Sequence, residues 1–194
     1  CRLIDGMLVQ IVNDGTDEVG GDVFDETLRN ELESRVRKLR ALEDTVQVQP
    51  DARLRLIHRC EQAKIDLSTR ERAQLFVGNF YSRGIDVDLD YALTRQELEE
   101  IFSGLLDKGL ARIGRLLSQN GYTPASVSLC LVTGGMANMP AIQSRLNELF
   151  GPGRVHISER SATLISEGAA WIAHDDAPIY LAKNIELLLA RNSY

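Results

Sequence analysis

The chain has 194 residues, a net charge of −6, and a composition that is 44% hydrophobic and 26% charged, which is typical of a globular protein with enough chain for one sizeable core or two small lobes. The acidic balance argues against a nucleic-acid partner, and every apolar run is far too short to cross a bilayer, so no membrane partner is expected. The cysteines and histidines are scattered without ligand spacing, which argues against a metal site and favours reduced thiols in a reducing compartment such as the cytoplasm.

Hydrophobic periodicity predicts strands that alternate with helices. Thr94 and Glu97 have the spacing of a capping box at the start of the longest helix. The segment 127–133, VSLCLVT, has no polar face, so we predict a central strand covered on both sides. This order favours an α/β layer architecture. The predicted elements are strand 7–12, helices 22–40 and 51–67, strands 73–80 and 85–90, helix 94–118, strand 127–133, helix 140–150, strand 154–157 and helix 162–174.

Two glycines, Gly134 and Gly135, separate the predicted strand 127–133 from a helix that opens at Pro140. A turn at the carboxyl end of a buried strand is where α/β folds bind ligands, and glycine lets the backbone approach a ligand closely. The N–H groups at the start of the following helix suit a phosphate or ribose oxygen. Taken alone, a simple tight turn is the commoner explanation of such a pair.

The segment CEQAKIDLS places Glu61, Lys64 and Ser68 at positions i, i+3 and i+7 of a predicted helix. At about 100° per residue these side chains share one face, roughly a quarter-turn from the apolar stripe. A carboxylate, an ammonium and a hydroxyl in a row can hydrogen-bond the hydroxyls of a ribose and the edge of a base. By itself, a Glu–Lys pair with this spacing is more often a solvated helix pair.

Several short stretches together resemble the nucleotide-binding domain of the DnaK-type chaperones, the heat-shock protein 70 family. The resemblance extends over nearly the whole chain, because the stretches occur in the family's order with similar spacing. They are GGDVFD at 20–25, CEQAKIDLS at 60–68, LTRQELEEIF at 93–102, LVTGGMANMPAIQSRLNELFG at 131–151 and EGAAWIA at 167–173.

The resemblance implies the second lobe of an actin-like, ribonuclease H-like ATPase fold, with a mixed sheet flanked by helices. The core subdomain is expected at 1–19 and 103–178. A smaller inserted α+β subdomain, at 20–102, forms a lid over the adenosine. The tail 179–194 is similar to the family's interdomain linker, or it is one more strand or helix of this lobe.

The resemblance also assigns an adenosine site without catalytic or metal-binding residues in this chain. Asn138 stands where many members have an arginine that stacks on adenine, Met136 and Ala137 replace a small hydroxyl pair, and Ala162 stands where an aspartate is usual. These departures predict weaker nucleotide binding in an unchanged fold, because an amide cannot replace guanidinium stacking. The residues carried over as nucleotide contacts are Glu61, Lys64, Ile65, Ser68, Gly134, Gly135, Met136, Ala137 and Asn138.

By the same resemblance, the full-length protein is expected to be a cytoplasmic stress-response chaperone that binds ATP or ADP with magnesium. Its partners would be its own first lobe, a J-domain co-chaperone and a nucleotide exchange factor. The chain starts at Cys1 and stops at RNSY, and we interpret it as a fragment that lacks the phosphate-binding hairpins and the catalytic lysine. We expect it to fold but not to hydrolyse ATP alone, with nucleotide affinity on the order of millimolar or weaker.

Two other functions stay open at this point. The first is a non-catalytic interaction module that uses the same actin-like fold, which the altered residues at 136–138 and 162 favour. The second is a more distant relative in the actin-like superfamily, such as a sugar kinase or a filament protein. The EQAK…LS helix argues against this second alternative.

Overall fold

The computed structural model describes residues 1–5, 7–82 and 87–174, without the side chains of residues 7 and 8. Helices and small sheets alternate along these residues, which confirms the predicted α/β class. None of the helices described is long and apolar enough to cross a membrane. The strands are β1 (Arg2–Ile4), β2 (Met7–Val9), β3 (Arg72–Val77), β4 (Leu89–Thr94), β5 (Cys130–Val132) and β6 (Val155–Ile157), and the α-helices are α1 (Gly21–Leu39), α2 (Ala52–Leu67), α3 (Arg95–Gln119), α4 (Pro140–Phe150) and α5 (Leu164–His174).

The main hydrophobic core lies between α1, α2, α3 and the β3–β4 hairpin. Apolar residues recur every three or four positions on the helices, so each helix has one stripe that faces this core. On β3 the burial alternates along the strand, as expected for a sheet with one covered face. Phe24 of α1 packs edge-to-face on Phe102 of α3, with ring centroids 4.6 Å apart. Fully buried members of the core include Leu28, Leu32, Leu56, Cys60, Leu75, Leu89, Leu93 and Phe102.

The β3–β4 hairpin differs from the prediction in where its strands lie. The antiparallel register runs from Arg72↔Thr94 to Val77↔Leu89, so the second strand is Leu89–Thr94 rather than 85–90, of which residues 85 and 86 lie outside the described part. The first strand ends at Val77 because Asn79 takes a left-handed φ of 50°, which ends the ladder. The pairing with β3 therefore sets the bounds of β4, whereas the alternation in IDVDLD had predicted a strand that begins earlier in the chain, at residue 85.

The segment 127–133 also differs from its prediction, in length and in burial. Strand β5 covers only Cys130–Val132 and pairs, in parallel, with β6 alone among the strands described. Leu129 is 55% exposed and Leu131 is 62% exposed, so the prediction that this strand is covered on both sides is wrong. Strand β5 is not central either, because β1 pairs with β2 in a hairpin of its own, which leaves β6 as the partner of β5 among the described strands. The predicted strand 7–12 is likewise shorter, at Met7–Val9.

The predicted helix starts lie within two residues of those in the structure. Thr94 caps α3: its Oγ1 accepts the N–H of Glu97 at 3.2 Å, and the Glu97 carboxylate accepts the N–H of Thr94 at 2.9 Å. Pro140 is the first residue of α4. Helix α3 continues through the predicted subdomain boundary at 102/103, so it connects the two segments, and the division into 1–19 with 103–178 and 20–102 stays a prediction. The tail 179–194 lies outside the described residues.

Candidate functional site

A cleft of about 520 Å³ lies between the start of α1, the carboxyl half of α2 and the turn that follows β5. Most of the residues expected to contact a ligand line this one cleft, although α2 and the turn are far apart in sequence. Gly134 and Ala137 are exceptions, and Ala137 is buried beneath the turn. The lining consists of Gly21, Asp22, Asp25, Glu61, Lys64, Ile65, Ser68, Gly135, Met136, Asn138, Met139 and Ala162.

Lys64 is fixed at the edge of the cleft by helix α1. Its Nζ donates a hydrogen bond to Oδ2 of Asp25 at 2.8 Å and another to the carbonyl oxygen of Gly21 at 3.3 Å. The two side chains are only 11% and 10% exposed, so this is a mostly buried ion pair that joins α1 to α2. Sequence reasoning missed Asp25 as a partner, and the only signal was its place at the end of the GGDVFD stretch.

The electrostatics of this pair follow from its burial. Burial raises the pKa of Asp25, while the hydrogen bond and charge of Lys64 lower it, and the net shift is upward. Oδ1 of Asp25 is buried without a hydrogen-bond partner among the described residues. One turn earlier on α2, burial raises the pKa of the Cys60 thiol to about 12, so this cysteine stays protonated and is not a nucleophile.

Glu61 and Ser68 lie on either side of Lys64 along α2. The Glu61 side chain is 51% exposed, and its Oε2 lies 3.7 Å from Nδ1 of His58. The Ser68 hydroxyl donates to the carbonyl oxygen of Ile65 at 2.6 Å, since Ser68 is the C-cap of α2. Its oxygen can therefore accept a hydrogen bond from a ligand, but its proton is already used.

The two glycines have different roles in the turn. Gly134 has φ 93° and ψ 161°, a backbone conformation that residues other than glycine rarely adopt. Its N–H donates a hydrogen bond to the carbonyl oxygen of Ser161 at 2.7 Å. Gly135 has no such φ, and a Cβ there would meet nothing within 4 Å. Thus Gly134 makes the turn, and Gly135 leaves open space where the backbone faces the cleft.

Asn138 is held in place by the segment that follows β6. The buried Ser161 hydroxyl donates to Oδ1 of Asn138 at 3.3 Å. Within the described residues the Nδ2 group has no partner, so its two N–H donors are available to a ligand. The oxygen of the Asn138 amide is therefore held by Ser161, while its NH₂ group can donate to a ligand.

One wall of the cleft is apolar. Ile65 is 54% exposed on it, Met136 is half-buried and Met139 is 4% exposed. Aliphatic and thioether groups pack well on the flat face of an aromatic ring. The cleft therefore combines a surface for a planar base with polar groups for hydroxyls. No group of three or more His, Cys, Asp or Glu side chains in the described residues is placed to hold a metal ion.

Comparison with protein families gives a match over most of the chain. The family model described as "Hsp70 protein" matches residues 1–188, nearly the whole chain. Residues 175–188 of that match lie beyond the part that the structure describes. With a match of this extent, the chain belongs to the Hsp70 family and has its actin-like ATPase fold.

Proposed function

We propose that this chain is the second lobe of an Hsp70 nucleotide-binding domain, and that its cleft contacts the adenosine part of ATP or ADP. The family is that of ATP-binding chaperones, and membership supports the class of function. The observation that carries the finer proposal is the convergence of Glu61, Lys64 and Ser68 with Gly135 and Asn138 on one cleft.

The size and chemistry of the cleft fit a nucleoside. Its volume of about 520 Å³ lies within the range of roughly 300–1,000 Å³ usual for small-molecule sites. The Glu61 carboxylate can accept hydrogen bonds from ribose hydroxyls. Lys64 uses two of its three donors within the protein, which leaves one for a ribose oxygen. The base would pack on Ile65 and Met136, with the Asn138 amide at its edge.

The same residues do not fit magnesium or the terminal phosphates. No metal-binding cluster occurs among the described residues, and the cation that lines the cleft, Lys64, already pairs with Asp25. Phosphoryl transfer requires cations and metal at the phosphates, so no catalytic step is assigned to this chain. Hydrolysis would belong to the complete domain with its first lobe, and J-domain proteins and exchange factors would be partners of that assembly.

A second candidate is a non-catalytic interaction module with this fold. The residues that favour it are Ala162 and Asn138 on the cleft and the apolar pair Met136 and Ala137 in the turn, because none of them offers a charge to a nucleotide. Failure of adenosine to bind in a correctly folded chain would favour this candidate.

The proposal is tested with Gly135→Leu and the control Gly15→Leu. Both positions have ordinary φ and open space around an added Cβ, so both variants should keep the thermal unfolding midpoint of the wild type. Only Gly135 lines the cleft. In ¹H–¹⁵N NMR titrations we expect Gly135→Leu to weaken adenosine binding at least about tenfold, about 1.4 kcal/mol, and Gly15→Leu to leave it unchanged. Equal binding by both variants would contradict the site.

Catalysis is tested separately, with a phosphate-release assay in ATP and magnesium beside a thermal melt. We expect a cooperative melt, because the described helices and hairpin bury a continuous core, and no turnover above an enzyme-free blank. Sustained turnover would contradict the assignment of hydrolysis to the complete domain.

A further inference from the structure

The charged side chains of the cleft are mostly acidic. Asp22, Asp25 and Glu61 line it, and Lys64 is the cation among the described lining residues. Because Lys64 pairs with Asp25 at 2.8 Å, its charge is balanced inside the protein rather than offered to a ligand.

The other two carboxylates have no lysine or arginine partner among the described residues, although Asp22 lies in the first turn of α1, where the helix dipole offsets part of its charge. Asp22 is exposed at the start of α1 and forms no ion pair within the described residues. Glu61 has the His58 imidazole as its neighbour, with Nδ1 3.7 Å from Oε2 of Glu61, and it forms no ion pair with a lysine or arginine in the described residues. The cleft therefore keeps a negative potential at neutral pH, within a chain whose net charge is also negative, −6.

This charge distribution favours the nucleoside part of a nucleotide over its phosphates. Ionised carboxylates only accept hydrogen bonds, so they match groups that donate, such as ribose hydroxyls. A phosphate at neutral pH offers acceptors and negative charge, so it is repelled by the same carboxylates. A nucleoside gains the contacts of the cleft without this repulsion.

We infer that this lobe binds an uncharged nucleoside more tightly than the corresponding nucleotide: adenosine binds better than ADP. This inference rests on the proposed function. It adds the class of ligand that the lobe takes by itself, and it means that the phosphates of a bound nucleotide lower the affinity of this half of the site. If the unpaired carboxylates lie about 10 Å from the diphosphate, we expect the Kd for ADP to be roughly three- to tenfold higher than that for adenosine at low salt.

The test is an NMR titration of the whole chain with adenosine and with ADP, without magnesium, at low and at high sodium chloride. We expect adenosine to have the lower Kd at low salt. The affinity for ADP should rise with salt, because screening weakens repulsion, while that for adenosine should change little. The sign of the salt dependence is informative, since attraction of phosphates to cations would make ADP bind less tightly as salt is added.

Two charge variants complete the test. Asp22→Asn removes one carboxylate from the cleft. It should lower the ratio of the Kd for ADP to the Kd for adenosine by roughly twofold. Asp66→Asn is the matched control: it removes the same charge from α2, about 200° around the helix from Lys64 and outside the cleft lining. It should leave that ratio unchanged.

The outcomes separate this inference from the proposed function. Tighter binding of ADP than of adenosine, weakening as salt is added, would overturn the inference and leave the adenosine site standing. An equal effect of Asp22→Asn and Asp66→Asn would also overturn it. No chemical-shift change with either ligand at concentrations up to about 20 mM, well above a millimolar Kd, would overturn the proposed function and the inference together.

Discussion

Removing the charge of Lys64 should destabilise the chain by much more than removing the charge of an exposed arginine. In Lys64→Met the aliphatic stem is kept, but Asp25 loses the ammonium at 2.8 Å in a place where both side chains are nearly buried. Leaving one partner of a buried pair uncompensated costs roughly 3–5 kcal/mol. We expect about 3 kcal/mol at pH 8, because both side chains keep some contact with solvent.

The size of this loss should depend on pH through Asp25. Burial already raises the pKa of this carboxyl, and Lys64 opposes the rise, so the variant has a still higher folded-state pKa. A group whose folded pKa exceeds its unfolded pKa contributes stability below the unfolded pKa and loses it as pH rises through the folded pKa. The loss caused by Lys64→Met should therefore be smaller at pH 5 than at pH 8.

The assay is urea unfolding followed by circular dichroism at both pH values. Arg53→Met is the control, because Arg53 is 55% exposed and its partner Glu33, although only 13% exposed, keeps Arg37 at 3.8 Å when Arg53 is removed. We expect this variant to lose roughly 0.2–1 kcal/mol. The double variant Lys64→Met/Asp25→Leu should lose less stability than Lys64→Met alone, since no charge is then left buried. A loss of stability that is independent of pH, or one no larger than that of Arg53→Met, would contradict a buried Asp25 carboxylate that depends on Lys64.

Four further variants test the cap, the turn and the apolar wall. Thr94→Ala should cost about 1 kcal/mol in urea unfolding, because it removes the acceptor for the N–H of Glu97, and an unchanged midpoint would show that the cap is dispensable. Gly134→Ala should lower the free energy of unfolding by roughly 1–3 kcal/mol, because Gly134 has a φ of 93°, whereas Gly135→Ala should leave it nearly unchanged. Equal losses of stability in the two variants would contradict the different roles of the two glycines. Ile65→Arg should tighten adenosine binding by about 0.5–2 kcal/mol, measured by NMR titration, because it offers a guanidinium to the face of the base, and weaker binding would place the base elsewhere.

Most of the residues predicted to bind a ligand line one cleft, but the contacts that they make within the protein were not predicted. The spacing of Glu61, Lys64 and Ser68 fixed which residues share a helix face, because that relation depends only on the helical repeat. It could not show that Lys64 pairs with Asp25 or that the Ser68 proton is used by Ile65. Those contacts depend on how α1 packs on α2 and on where α2 ends.

The features that follow directly from the sequence are local. Periodic apolar residues set the helices, and the Thr94–Glu97 pair set the start of α3, because hydrogen bonds and side-chain faces within a few residues decide these features. Tertiary structure alone decided that β4 begins at Leu89, that Leu131 of the apolar strand β5 faces solvent, and that the cleft is acidic. An apolar run shows that burial would be favourable, and a carboxylate shows that a charge is present. Which surface covers the run, and which cation meets the carboxylate, depends on the packing of segments far apart in the chain.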